Sequence, residues 1–127
     1  MAAVSDLQAM IRGMEPVLAA DPYGIEVSDR EVRGAFARIA EAEGMTVIAP
    51  VADLTAAGVV VTAQWARISL TLHSALSAVG LTAAFARALA DQGISANVVA
   101  GYHHDHIFVA WADRDRAMMA LRALARA

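Results

Sequence analysis

Two apolar runs, 94–100 and 107–111, flank the polar stretch Gly101-Tyr102-His103-His104-Asp105-His106. Such a pair has few ways to fold. Ile94, Ala96, Val98 and Ala100 alternate, which puts four apolar side chains on one face of a strand. Residues 107–111 then return antiparallel beside it as a hairpin. The turn carries His103, His104 and His106 around Asp105, three of the four histidines in the chain. Imidazoles at the tip of an apolar hairpin bind a metal, hold a turn by hydrogen bonds, or line a partner surface. His104 and His106 share a face if the strand persists, and His103 and Asp105 share the other. That split suits a divalent ion poorly. A turn aspartate commonly bonds its own backbone. The expectation is a structural or interface role, with no metal bound.

The remaining elements follow from periodicity and punctuation. Ser5 and Gln8 form a capping box for a first helix with Leu7, Ile11 and Met14 on one face, ended by Pro16. Residues 23–27 read as a short strand. Ser28 and Glu31 form a second capping box, for a helix with Val32, Phe36 and Ile39 in a stripe, stopped at Gly44. Residues 45–49 are a strand closed by Pro50, and 51–58 a short helical turn ending at Gly58. Within 59–72, Ile68, Leu70 and Leu72 alternate with Arg67, Ser69 and Thr71, a strand with one buried face. The loop 73–80 leads into a helix with Leu81, Phe85, Ala88 and Leu89 inward and Gly93 at its end. Asp113 caps a last helix with Ala117, Met118, Leu121 and Leu124 inward. Met10, Met14, Met118 and Met119 read as core packing. Arg67 and Arg87 either point to solvent or face a ligand carboxylate.

Ala35-Phe36-Ala37-Arg38 recurs as Ala84-Phe85-Ala86-Arg87, 49 residues on, and Gly44 matches Gly93 at the same offset. Both copies are expected between two strands, which suggests two related halves, 1–63 and 64–127. The second half reads strand–helix–strand–strand–helix, most of a ferredoxin-like unit. Its last strand is missing, and another segment is expected to fill that edge.

Composition narrows the function. No cysteine is present, which excludes disulfides, thiolate metal sites and cysteine nucleophiles and fits a cytoplasmic protein. All ten basic residues are arginine, so Schiff-base catalysis is excluded. The net charge of −3, without a basic stripe, argues against nucleic acid. Hydrophobic residues reach 58% and mean hydropathy is +0.49. The excess serves either a membrane or self-association. The longest uncharged run, 68–86, has 19 residues, but it holds His73, Gly80, three serines and two threonines. A soluble homo-oligomer is expected, with no membrane span and no signal peptide. There is no nucleophile elbow and no Gly-rich phosphate loop, so no enzyme activity and no cofactor are expected.

His73-Ser74, Ala78-Val79-Gly80-Leu81-Thr82, Gly93-Ile94-Ser95 and the run 97–106 together resemble an ACT domain over 65–124. The whole chain resembles small bacterial proteins built from two ACT-like halves. The resemblance implies an α+β, ferredoxin-like fold of βαββα units, an antiparallel sheet with helices packed on one face. It also implies a non-catalytic regulatory module that binds an amino acid or small metabolite. The ligand-contacting residues would be His73, Ser74, Val79, Gly80, Leu81, Asn97 and Val98. Chemically, a glycine at a strand-to-helix turn admits a ligand to the backbone, free helix N–H groups attract a carboxylate, and Asn97 can bond an α-amino group. Equally, Gly80 only makes the turn and Asn97 only satisfies a strand end. The alternative is a structural oligomerisation or protein-interaction module with no small ligand.

Overall fold

Alternation along 65–71 sets the centre of the molecule. In the computed structural model, which describes residues 2–71 and 79–127, strand β5 (Trp65–Thr71) buries Ala66, Ile68 and Leu70 completely. Strand β7 (His104–Ala110) pairs with it antiparallel over seven residues, from Trp65 opposite Ala110 to Thr71 opposite His104. Strand β6 (Asn97–Ala100) lies on the far side of β7, with Asn97 opposite Phe108. The expected hairpin is therefore present, but β7 begins at His104, so two of the turn histidines belong to the strand.

The missing edge strand is supplied from the N-terminus. Helix α1 (Ala2–Arg12) leads into β1 (Glu15–Leu18), which pairs antiparallel with β5, Val17 opposite Ser69. The order β1-β5-β7-β6 is that of a ferredoxin-like sheet, with β1 in the place of its fourth strand. Pro16 begins no loop as anticipated; it sits in β1, whose outer side is unpaired, where a proline is tolerated. Ser5 lies inside α1, whose first residue is Ala2, and not at its start.

Strand β2 (Tyr23–Val27) continues the same path, touches β5 only at Tyr23 opposite Trp65, and then pairs with β4 (Gly44–Pro50). Strand β3 (Ala37–Glu41) completes the order β3-β4-β2-β5-β7-β6. The helix anticipated after Ser28 is thus a turn and a strand. Ser28 Oγ accepts the Arg30 N–H at 3.1 Å in a local turn, Gly34 takes φ +80°, and β3 pairs with β4 through a tight turn ending at Gly44. The Ala/Arg/Glu content favours a helix locally, but pairing with β4 outweighs a propensity of a few tenths of a kcal/mol per residue, about. The Ala-Phe-Ala-Arg match consequently joins a strand start to a helix, and carries no structural repeat.

Helix α2 (Val51–Ala56) follows β4, and α3 (Leu81–Ala90) and α4 (Arg114–Arg126) follow β5 and β7. All the helices lie on one face. On that side Ile68, Leu70, Ile107, Val109, Phe85, Leu89, Leu121 and Met14 form the main core. A smaller one joins Leu54 of α2 to Val32, Val47 and Ala49. Met119 departs from the expected core role and is 69% exposed. Asp113 precedes α4 but its carboxylate accepts from Arg116 at 3.0 Å instead of capping a helix N–H.

Gly24 shows how tightly α2 packs. A Cβ there would come within 2.5 Å of Leu54 Cδ1, and Leu54 is fully buried. We expect Gly24→Ala to lower unfolding free energy by about 1–3 kcal/mol, the usual cost of overpacking, as read by urea denaturation. An unchanged midpoint would mean Leu54 has room that the packing does not show.

Candidate functional site

The anticipated ligand residues fall into two places. Gly80 is the N-cap of α3 with φ +93° and no side-chain cap, and Leu81 is buried in the main core. Val79 is 86% exposed. A Cβ on Gly80 would sit 3.1 Å from Leu7 Cδ2, so α1 walls one side of this helix start. His73 and Ser74 lie outside the described residues.

Asn97 and Val98 lie on β6. Asn97 Nδ2 donates to the Phe108 carbonyl at 3.3 Å, a strand-end bond. Register puts Asn97 four residues along β7 from His104, roughly 13 Å at strand spacing. No described contact joins it to Gly80. Both β6 residues instead line an open cleft with Ile39, Thr46, Ile48 and Trp65. Strands from opposite ends of the sheet border this cleft, which means the sheet curls around its helix-free face.

That face carries a polar–aromatic cluster. Alternation places Trp65, Arg67 and Ser69 of β5 and His104, His106 and Phe108 of β7 there together. Phe36, held by its N–H donating to the Ile48 carbonyl at 2.7 Å, covers the cluster. Its ring stands edge-on to His106 at 4.7 Å and to Phe108 at 5.7 Å. Ser69 Oγ and His106 Nδ1 are 2.8 Å apart. Gly101 allows the turn to close on this histidine; a Cβ there would lie 2.8 Å from the His104 carbonyl and 3.4 Å from His106 Nε2.

Arg67 is not the solvated side chain its sequence context suggests. It is half-buried, with Cζ 4.2 Å from the Phe36 ring centroid and Nη1 donating to the Tyr23 hydroxyl at 2.8 Å. Arg87 is exposed as expected, paired with Asp91 at 3.1 Å. Sequence reading missed Tyr23, Phe36, Arg67 and Ser69 as a group, although the parity of Arg67 and Ser69 along β5 places both on the face opposite Ile68. Phe36 was the obstacle, since it was assigned to a helix.

Burial, then the charges of Arg67 and His104, push His106 from 6.5 down to about 4. Burial raises Asp105, which lies on the helix side of β7 beside Leu70. His104 and His106 therefore share the helix-free face while Asp105 takes the other, and among the described residues no three His, Cys, Asp or Glu side chains converge to hold a metal. A depressed histidine pKa means the unfolded chain takes up a proton that folded His106 refuses. Stability from this group is complete above about pH 6.5 and falls as pH drops toward 4. Asp105, with its pKa raised, acts with the opposite sign, losing stability as pH rises past 3.8. We expect the melting temperature of His106→Gln to vary less than the parent's between pH 6.5 and 4. Identical profiles would contradict the neutral state assigned to His106.

A family model described as an ACT domain matches residues 60–123. No curated protein matches the chain. Among solved structures, a Vibrio cholerae protein of unknown function, described as a possible transport protein, is 38% identical, with 97% of this chain and 98% of that chain covered and a TM-score of 0.84. A protein from Agrobacterium tumefaciens is 13% identical, covering 88% and 89%, with a TM-score of 0.68. The regulatory subunit of aspartate kinase from Thermus thermophilus, in its ligand-free form, is 13% identical, covering 86% and 95%, with a TM-score of 0.61. The last two likenesses concern the fold. No helix among the described residues is long and apolar enough to cross a membrane.

Proposed function

The chain belongs to the ACT domain family, and from this we propose that it is a non-catalytic regulatory module binding an amino acid or a related small metabolite at the start of α3. The likeness in fold to a regulatory subunit of aspartate kinase supports the regulatory part. The observation that carries the site is Gly80: it opens a ten-residue helix at φ +93° with no side chain among the described residues capping the first-turn N–H groups. A ligand carboxylate suits such donors and the positive end of the helix. Val79, Gly80 and Leu81 would supply the backbone, with His73 and Ser74 from the preceding segment. Asn97 and Val98 would serve a ligand only from the cleft side of the sheet.

We read residues 1–63 and 64–127 as two ACT-like halves sharing one sheet, with α1 and β1 crossing to complete the second. The absence of cysteine fits a cytoplasmic setting. The test is a thermal-shift screen of the amino acids. A ligand at a hundred times its Kd adds ~2.7 kcal/mol. Gly80→Val should abolish that gain, with folding of the variant measured separately, because positive φ disfavours a β-branched residue.

The second reading is an interaction module. Its support is the outer edge of β6, unpaired among the described residues, beside Val98 at 38% exposure and Tyr102 at 80%. Either reading expects a homo-oligomer. Light scattering at micromolar concentration checks this, and a clean 13.3 kDa monomer contradicts it.

A further inference from the structure

The helix-free face of the sheet holds a cation, Arg67, that no carboxylate among the described residues pairs with, the ion pairs there being Arg87–Asp91 and Arg116–Asp113. Its one hydrogen-bond partner is the neutral hydroxyl of Tyr23. Its Nε is enclosed and has no acceptor. Among the described residues its Nη2 has no acceptor, and the side chain as a whole is only half-buried. Taking a guanidinium partly out of water is costly unless an anion accompanies it. Stacking on Phe36 and the bond to Tyr23 fix the guanidinium plane in advance, so little freedom is lost when a planar anion arrives.

We propose that Arg67 and Ser69 form a binding site for a small organic carboxylate, separate from the start of α3. Ser69 lies two residues along β5 on the same face. With the proton on His106 Nδ1 donating to Ser69 Oγ, the serine hydroxyl proton is left to donate outward. One carboxylate oxygen then takes Nη2 and the other the hydroxyl. Val17, opposite Ser69 and 53% exposed, keeps this side open and offers an apolar wall for a short substituent. Glu15, opposite Thr71 on the same face, disfavours a second negative charge. The class is therefore a small monocarboxylate. Such a site differs from the α3 start in using side chains and a fixed cation, so it stands whether or not an amino acid binds at Gly80.

The experiment titrates the intact protein with pyruvate at pH 7 and constant ionic strength, following the Arg67 Nε–Hε resonance, with chloride as control. The expected result is a saturable shift with pyruvate and none with chloride. Arg67→Met should weaken binding by about tenfold or more, and Ser69→Ala by a smaller factor, as expected for charge-assisted and neutral hydrogen bonds. In the parent, saturation should also raise the His106 midpoint from about 4, because the bound anion offsets the charge of Arg67. This readout needs no variant and does not move if Arg67 is only a packing residue. An unsaturable or chloride-equal response, or unchanged affinity in a folded Arg67→Met or Ser69→Ala protein, overturns the proposal.

Discussion

Phe108→Ala should lower unfolding free energy by about 3–5 kcal/mol. Phe108 is fully buried on the helix-free face, in a cluster with Tyr23 and Ile48. It meets Tyr23 edge-on at 5.8 Å and Phe36 at 5.7 Å. Those rings come from β2 and from the turn before β3, so this one side chain ties β7 to the outer strands. The sheet there is otherwise continuous only through the single pairing of Tyr23 with Trp65. Removing the ring loses its transfer free energy and leaves a cavity that the two neighbouring rings cannot close. The loss is a large share of a domain stability of roughly 5–15 kcal/mol. Tyr102→Ala, at an aromatic that is 80% exposed, should stay within about 0.5 kcal/mol. Chemical denaturation of the two variants separates them. Equal, small effects would mean that the aromatic cluster does not hold the outer strands in place.

A chain lacking residues 1–18 should lose its cooperative thermal transition. That segment is N-terminal in sequence but packs against the second half of the chain. It removes β1 from the edge of β5 and Met14 from the main core, and strips Leu7, Met10 and Ile11 from α3 and α4. Ile68, Leu70 and Leu121, all fully buried in the intact protein, would then meet water. Each such side chain contributes ~1.5–3 kcal/mol when buried, so their joint exposure exceeds what a marginal domain can lose. Calorimetry and amide exchange along β5 measure it directly. A truncated chain that melts sharply with protected β5 amides would show that the second half closes its sheet without β1.

What could be read in the residues was the part governed by local alternation and punctuation. Ile68 and Leu70 alternate with Arg67 and Ser69, and β5 follows. Leu81, Phe85 and Leu89 recur at helical spacing, and α3 buries those three. Gly80 and Gly93 both take positive φ at the two ends of α3. The open edge of the second half was also legible, because a ferredoxin-like unit lacking a strand must be completed. Its filler was not, since Pro16 in Glu15–Leu18 resembles a helix stop and only the vacancy beside β5 makes it a strand. Residues 29–43 failed for a related reason. Their alanine, arginine and glutamate favour a helix in isolation, while a free edge on β4 and a left-handed Gly34 decide for a strand. That error hid Phe36, and with it the aromatic cluster around Arg67. The glycine on which the proposed site at Gly80 rests is visible in the sequence; the arrangement of Arg67, Ser69 and His106 needed the register of β5 against β7.

We have proposed that this ACT-family protein binds an amino acid or related metabolite where α3 begins. Amide chemical-shift mapping of the intact protein, titrated with each amino acid in turn, decides this. At least one amino acid should produce a saturable shift centred on the amides of 79–83, at the start of the helix. Saturable shifts confined to β3 or β6, or no saturable shift with any amino acid, would contradict it.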